Sequence, residues 1–123
     1  MLRVQAEHIG FLAMIECEGR IVNSDAAFRL RNAVVCEADA GIIVLDLTEV
    51  TALEGGGLGM LVFLQRWAHD HSIRLKLFNP RPSIRWRLEH ASTLYEFDFA
   101  SLGEMTDILS RAEVQSAIMA QAA

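Results

Sequence analysis

The stretch GIIVLDLTEVTALEGGGLGM, residues 41–60, decides how this chain is read. Its apolar, β-branched run at 42–45 has the composition of a strand buried on both faces. A polar loop is expected next, leading to Glu54-Gly55-Gly56-Gly57-Leu58-Gly59. The dense apolar segment 58–67 that follows has helical length. A strand feeding a glycine-rich turn into a helix leaves bare backbone N–H groups at the helix start. That end carries partial positive charge and suits an anion or a close-docking partner.

Upstream, FLAMIEC at 11–17 is apolar except for Glu16 and reads as a central strand, with a short edge strand over 2–6 before it. Asn23, Ser24 and Asp25 offer N-cap oxygens to a helix carrying Ala27, Leu30 and Val34 at i, i+3 and i+7. Downstream of the glycines, the helix is expected over roughly 57–69. Ile73, Leu75 and Leu77 then alternate with Arg74 and Lys76, the pattern of a strand with one exposed face. Pro80 and Pro82 fall in the first turn of a helix running to His90, and 95–99 reads as a last short strand. Ser101-x-x-Glu104 has the form of a capping box, and Met105, Ile108, Leu109 and Ala112 continue at helical spacing. The end of that helix, 116–123, is expected to fray. Strands alternating with helices imply an α/β fold, a mixed sheet with helices against it.

At 123 residues, 52% hydrophobic and 22% charged, the chain fits one globular domain that buries a core without disulfides or metal. A net charge of -5 argues against nucleic acid or an anionic membrane as the main partner. Arg74, Lys76, Arg81, Arg85 and Arg87 nevertheless cluster in a stretch whose only acid is Glu89. That cluster reads as a solvated face, or as a contact for phosphate or an acidic partner. Cys17 and Cys36 lack CxxC spacing and read as reduced and buried. The first residues lack the apolar run of a secretory leader, and no stretch reaches the ~20 apolar residues of a membrane span. A cytoplasmic protein without direct membrane insertion is expected.

No catalytic constellation emerges. His69 and His71 are two apart at a helix end, so they do not share a face in the manner of an i, i+4 zinc pair. They read as compensation of the helix dipole, as does His90. No serine lies in a Gly-x-Ser-x-Gly elbow, and neither cysteine has a basic neighbour in sequence. The expectation is no enzyme, no metal ligand and no cofactor. The glycine turn is not GxGxxG, because Met60 takes the last glycine position, and it is not a P-loop. Two readings stand for it. The glycines supply unusual backbone angles and close packing, or they present a side-chain-free surface to a partner's backbone. The helix beyond carries Leu58, Met60, Leu61, Val62, Phe63, Leu64 and Trp67, apolar almost all round. Either neighbouring helices bury the surplus, or Leu58 and Met60 project into an exposed docking patch.

The same residues carry a family resemblance. Asp46-Leu47 followed by Glu54-Gly55-Gly56-Gly57-Leu58-Gly59 resembles the STAS domain, the module named for sulfate transporters and anti-sigma factor antagonists. There a strand ending Asp-Leu leads into Asp-Ser-Ser-Gly-Leu-Gly at a helix start. A second block agrees: Asn79-Pro80, then Ile84-Arg85-Trp86-Arg87-Leu88-Glu89-His90-Ala91 and Phe97. It is similar to the family's Asn-Pro-x-x-x-x-Val-Arg-Arg-Leu-Leu-Glu-x-Ala helix and the phenylalanine beyond. The resemblance covers roughly residues 10–110 and implies a STAS-like single domain over 1–123, with four to five strands covered by about four helices.

The departures from the family pattern bear on function. The second serine of the turn, the one phosphorylated in STAS antagonists, is Gly56 here, and the first is Gly55. Glycine has no oxygen to phosphorylate. The nearest hydroxyls, Thr48 and Thr51, are not on the phosphosite, and the acid before the serines survives only as Glu54. The loop after Gly19-Arg20-Ile21 has Val22 or Asn23 where the family carries an aspartate. The resemblance implies a partner-binding rim of Asn23, Ser24, Glu54, Gly55, Gly56, Gly57, Leu58 and Met60, with Glu54 as a fixed negative charge. The partner implied is an anti-sigma factor or related GHKL-type serine kinase, and homo-oligomerisation stays open. Two alternatives stay open beside it: an accessory STAS subunit of an ABC-type transporter, and a small-molecule or nucleotide sensor using the helix start with Arg81, Arg85 or Arg87.

Overall fold

A computed structural model describes residues 1–91 and 96–122. The chain begins with β1 (Leu2–Ile9) and β2 (Leu12–Ile21), an antiparallel pair turned by Gly10 and Phe11. There follow α1 (Ser24–Val35), β3 (Ile42–Leu53), α2 (Gly56–Asp70), β4 (Arg74–Phe78), α3 (Pro82–Glu89), β5 (Asp98–Ala100) and α4 (Leu102–Ala122). The five strands lie in the order β1-β2-β3-β4-β5, and β2 to β5 are parallel. Because β2, β3 and β4 run the same way, the loops that enter α1, α2 and α3 gather at one end of the sheet. That end is where open α/β sheets place their binding loops.

Each face of the sheet has its own core. On one face, Ile15, Ile43, Leu45 and Leu77 pack with Leu30 and Val34 of α1, Leu61 and Leu64 of α2, and Ile84 and Leu88 of α3. On the other, Leu12, Ile42 and Val44 meet Met105, Ile108 and Ala112 of α4. The cap at Asn23 is present, its Oδ1 accepting the Ala26 N–H at 2.9 Å; of the box at 101–104, Ser101 Oγ accepts the Glu104 N–H at 3.1 Å while the Glu104 carboxylate turns to Lys76. Pro82 lies at the start of α3, where its missing N–H costs nothing.

Four expectations are corrected. The polar loop after Asp46 is strand, because β3 pairs with β2 as far as Ile21↔Leu53. Register shifts fall between Glu16 and Glu18 and between Gly19 and Arg20, each adding one residue to β3. The buried positions Leu47, Val50 and Leu53 therefore recur every third residue, and the two-residue period vanishes. Lys76 is not on an exposed face: it is 3% exposed, with Nζ at 2.9 Å from Asp98 and 3.3 Å from Glu104. Helix α4 covers that face, and the two carboxylates neutralise the cation. Cys17 is buried but Cys36 is exposed at the end of α1, and both are free thiols. The first strand extends past Ala6 to Ile9, since a tight turn lets the whole of β1 pair. Residues 116–122 belong to α4; alanine, glutamine and methionine are good helix formers. Tyr95, placed in the last strand by the sequence, lies outside the described residues.

Candidate functional site

The parallel register Ile21↔Leu53 sets the loops into α1 and α2 side by side. Glu54 N–H donates to Ile21 O at 3.2 Å and joins them. Val22, Asn23, Ser24 and Asp25 thus lie beside Glu54, Gly55 and Gly56, the grouping drawn from sequence.

The three glycines have different reasons. Gly55 takes φ 50 and ψ -118, a backbone state that residues with a Cβ rarely adopt, and forms the N-cap of α2 with no side-chain hydrogen bond. Gly57 is buried, and a Cβ there would run into Ile21 O. It is a packing glycine that lets α2 approach the end of β2, so it is not part of an open face. Gly56 is exposed, and a Cβ on it would meet nothing within 4 Å. The same holds for Gly59. Close packing and turn geometry account for two of the three adjacent glycines and leave Gly56 unexplained.

The other rim residues are partly committed. Asn23 spends its side chain on the cap of α1, and Ser24 is exposed. Glu54 is not a lone charge: its Oε1 is 3.5 Å from Nη2 of Arg87 on α3. Both side chains are about half exposed, so the pair tethers the turn to α3 with little net energy. Leu58 and Met60 are half-buried and pack against the core, while Phe63, one turn on, stands 49% exposed. Phe63 shares the outward stripe of Gly56 and Gly59, at i+7 and i+4. Phe28 of α1 is likewise exposed, at 54%. The helical spacing from Gly56 was the signal that could have singled out Phe63; an all-round apolar helix concealed it.

Chemistry elsewhere is quiet. Burial pushes the Cys17 thiol up to about 12, and the nearby charge of Asp46 adds to the effect, so it stays protonated and unreactive. Thr48 donates its hydroxyl to Asp46 Oδ1 at 2.6 Å and accepts from Asn79 at 3.1 Å; Thr51 donates to Gly19 O at 3.3 Å. His71 and His90 close α2 and α3, each ring N–H donating to a tryptophan carbonyl four residues back, at 2.7 and 2.8 Å, and each stacking on that indole. His8 pairs with Glu37 at 2.5 Å. The basic cluster is dispersed: Lys76 is buried, Arg87 faces Glu54, and Arg85 pairs with Glu89 while lying 4.2 Å over the Phe99 ring. Among the described residues no three histidines, cysteines or carboxylates converge as a metal site, and no helix is long and apolar enough to cross a membrane. A groove of about 190 Å³ lies away from the glycine turn, walled by Arg3, Glu16, Glu18, Asp46 and Glu49.

No family model and no curated protein matches the sequence. Solved structures do match the fold. An anti-sigma factor antagonist from Mycobacterium paratuberculosis superposes with a TM-score of 0.72 at 15% identity, over 89% of this chain and 95% of that one. A serine-to-glutamate form of RsbS from Moorella thermoacetica gives 0.70 at 15% identity, over 89% and 96%. The anti-sigma factor antagonist SpoIIAA in its unphosphorylated form gives 0.67 at 16%, over 89% and 98%. The chain therefore has the SpoIIAA-like, STAS fold of the anti-sigma factor antagonists: a mixed α/β structure of five strands and four helices.

Proposed function

We propose that this chain is a non-enzymatic interaction module, one domain over its whole length, that binds a regulatory protein in the cytoplasm. The partner is an anti-sigma factor or a related serine kinase. The docking face is the rim of Asn23, Ser24, Glu54, Gly55 and Gly56, with Leu58 and Met60 at its base and Phe63 as its exposed apolar contact. Gly57 serves by holding α2 against β2. No phosphate is taken at position 56, so binding is constitutive or controlled through the partner.

The observation that carries this reading is the open space at Gly56. A helix-start glycine that neither turns the chain nor makes room for a neighbour costs stability relative to alanine. An approaching partner backbone supplies the missing reason. The fold of the SpoIIAA structures, one of which is in its phosphorylated form, supports the class of partner.

Affinity capture from native cell extract tests it, comparing the wild type with Gly56→Arg, whose side chain has room in the free protein. A kinase-like anti-sigma factor retained by the wild type and lost by the variant is the expected result. Equal retention by both would remove the rim from the interface. Capture of a transporter ATPase would instead favour the accessory-subunit reading.

A further inference from the structure

Among the described residues strand β1 is an edge, paired on one side only, to β2. Its register with β2 is unbroken from Leu2↔Gly19 to Ile9↔Leu12. Apart from that ladder, residues 2–9 enter no backbone hydrogen bond among the described residues. Natural edges are usually blunted by proline, lysine or a bulge. This one, LRVQAEHI, has no proline, lysine or bulge, and its exposed charges, Arg3 and Glu7, are of opposite sign.

The parity of the free backbone groups follows from the hairpin. Gly10 has φ 55 and Phe11 does not have positive φ, the form of a two-residue turn closed by a hydrogen-bonded pair, here Ile9 and Leu12. Bonded and non-bonded pairs alternate along an antiparallel ladder. Arg3, Gln5, Glu7 and Ile9 therefore point their N–H and C=O groups at β2. Leu2, Val4, Ala6 and His8 point theirs outward.

We infer that β1 pairs antiparallel with β1 of a second copy of this chain, about a two-fold axis at Gln5. A symmetric antiparallel pair must match outward residues with outward residues, so only registers centred on a residue are allowed. Two of these overlap seven residues. The register centred on Ala6 sets Arg3 against Ile9 and Glu7 against Gln5. The register centred on Gln5 sets Arg3 against Glu7 of the second copy, and Glu7 against its Arg3. Leu2 and Val4 then meet His8 and Ala6 in the hydrogen-bonded positions. Arg3 and Glu7 fall in a non-bonded position, where opposed side chains come closest and opposite charges stabilise. All three charged or polar members are available: Arg3, Gln5 and Glu7 are exposed, and Glu7 makes no ion pair among the described residues. Arg3 is held only loosely by its own Glu18, at 3.8 Å. Charge complementarity thus selects both the occupant and the register. The pairing joins two sheets along their β1 edges and is separate from the rim at the ends of β2 and β3.

Sedimentation or light scattering across a micromolar to millimolar dilution series reads the association. The wild type is expected to dimerise. Ala6→Pro removes an N–H that points outward and leaves the β1–β2 ladder intact, so it should yield monomer. Glu7→Arg and Arg3→Glu each set like charges opposite each other twice, and each should weaken the dimer about tenfold. Mixed together, the two charge variants place the carboxylates of one against the guanidinium groups of the other, and should restore a heterodimer. A wild type that stays monomeric throughout overturns the proposal, as does a dimer indifferent to Ala6→Pro and Glu7→Arg. Should Ala6→Pro fail to fold, the charge variants and their mixture decide by themselves.

Discussion

Helices α1 and α2 start at the same end of the sheet, from loops that touch, yet the two starts are built in opposite ways. The start of α1 is closed by Asn23, whose side chain accepts a backbone N–H, and Asp25 lies in the first turn. The start of α2 has a glycine cap, no side-chain hydrogen bond and no acid in its first turn. Both follow a buried parallel strand and lie against the same core. The fold therefore permits an ordinary cap at this position, and the bareness of α2 is a local property of its sequence. Capping and charge at a helix start are each worth a fraction of a kcal/mol to about 2 kcal/mol. The chain forgoes that stabilisation where Gly55 and Gly56 stand exposed with nothing beside them.

The largest expected effect separates packing from openness within the glycine run. Gly57→Ala drives a methyl group into Ile21 O, and the backbone on both sides must move. Urea denaturation should show a loss of about 3 kcal/mol, the upper part of the range for overpacking a core. Gly55→Ala comes next, at about 2 kcal/mol, because φ 50 with ψ -118 is strained for any residue with a Cβ. A loss near zero at Gly57 would mean that α2 stands farther from β2, and the distinction between the three glycines would collapse.

Much of this contrast could be read before the structure. The caps at Asn23 and Ser101 and the periodic face of Ala27, Leu30 and Val34 are local signals, set by neighbours in sequence. The strand–turn–helix at 42–67 was equally plain. What escaped depended on distant parts of the chain. Two bulges broke the period of β3 after Asp46, so strand read as loop. Alternation along β4 marked Lys76 as belonging to the second face, but it held no information that α4 would cover that face. Gly55, Gly56 and Gly57 looked like one feature; the backbone angles of Gly55 and the position of Ile21 O beside Gly57 divide them. Phe63 stayed hidden because apolar residues all round a helix do not reveal which side is inward.

On the α1 side of the comparison, Asn23→Ala should cost about 1 kcal/mol by removing the hydrogen bond to Ala26. Chemical denaturation of the variant gives that value directly. The same variant should also weaken binding of the rim partner, because Asn23 belongs to the proposed docking face; unchanged binding would leave it a cap alone. A large loss of binding would give its side chain a second role, one that the cap geometry does not require.

The smallest effect is the most discriminating, because it has the opposite sign. Gly56→Ala adds a methyl group that meets nothing and gives the first turn of α2 a better helix former. Stability should rise by about 0.5 kcal/mol, which for a domain of this size moves Tm by roughly 2 °C upward. Alanine has no oxygen, so phosphorylation chemistry is untouched and only shape changes at the surface. Partner binding should nevertheless weaken, since a methyl group would stand where the partner's backbone approaches. More stable but poorer at binding is a combination that a purely structural glycine does not produce. A variant that is more stable and binds as well as the wild type would show that the bare start of α2 is unused, and would remove the functional half of its contrast with α1.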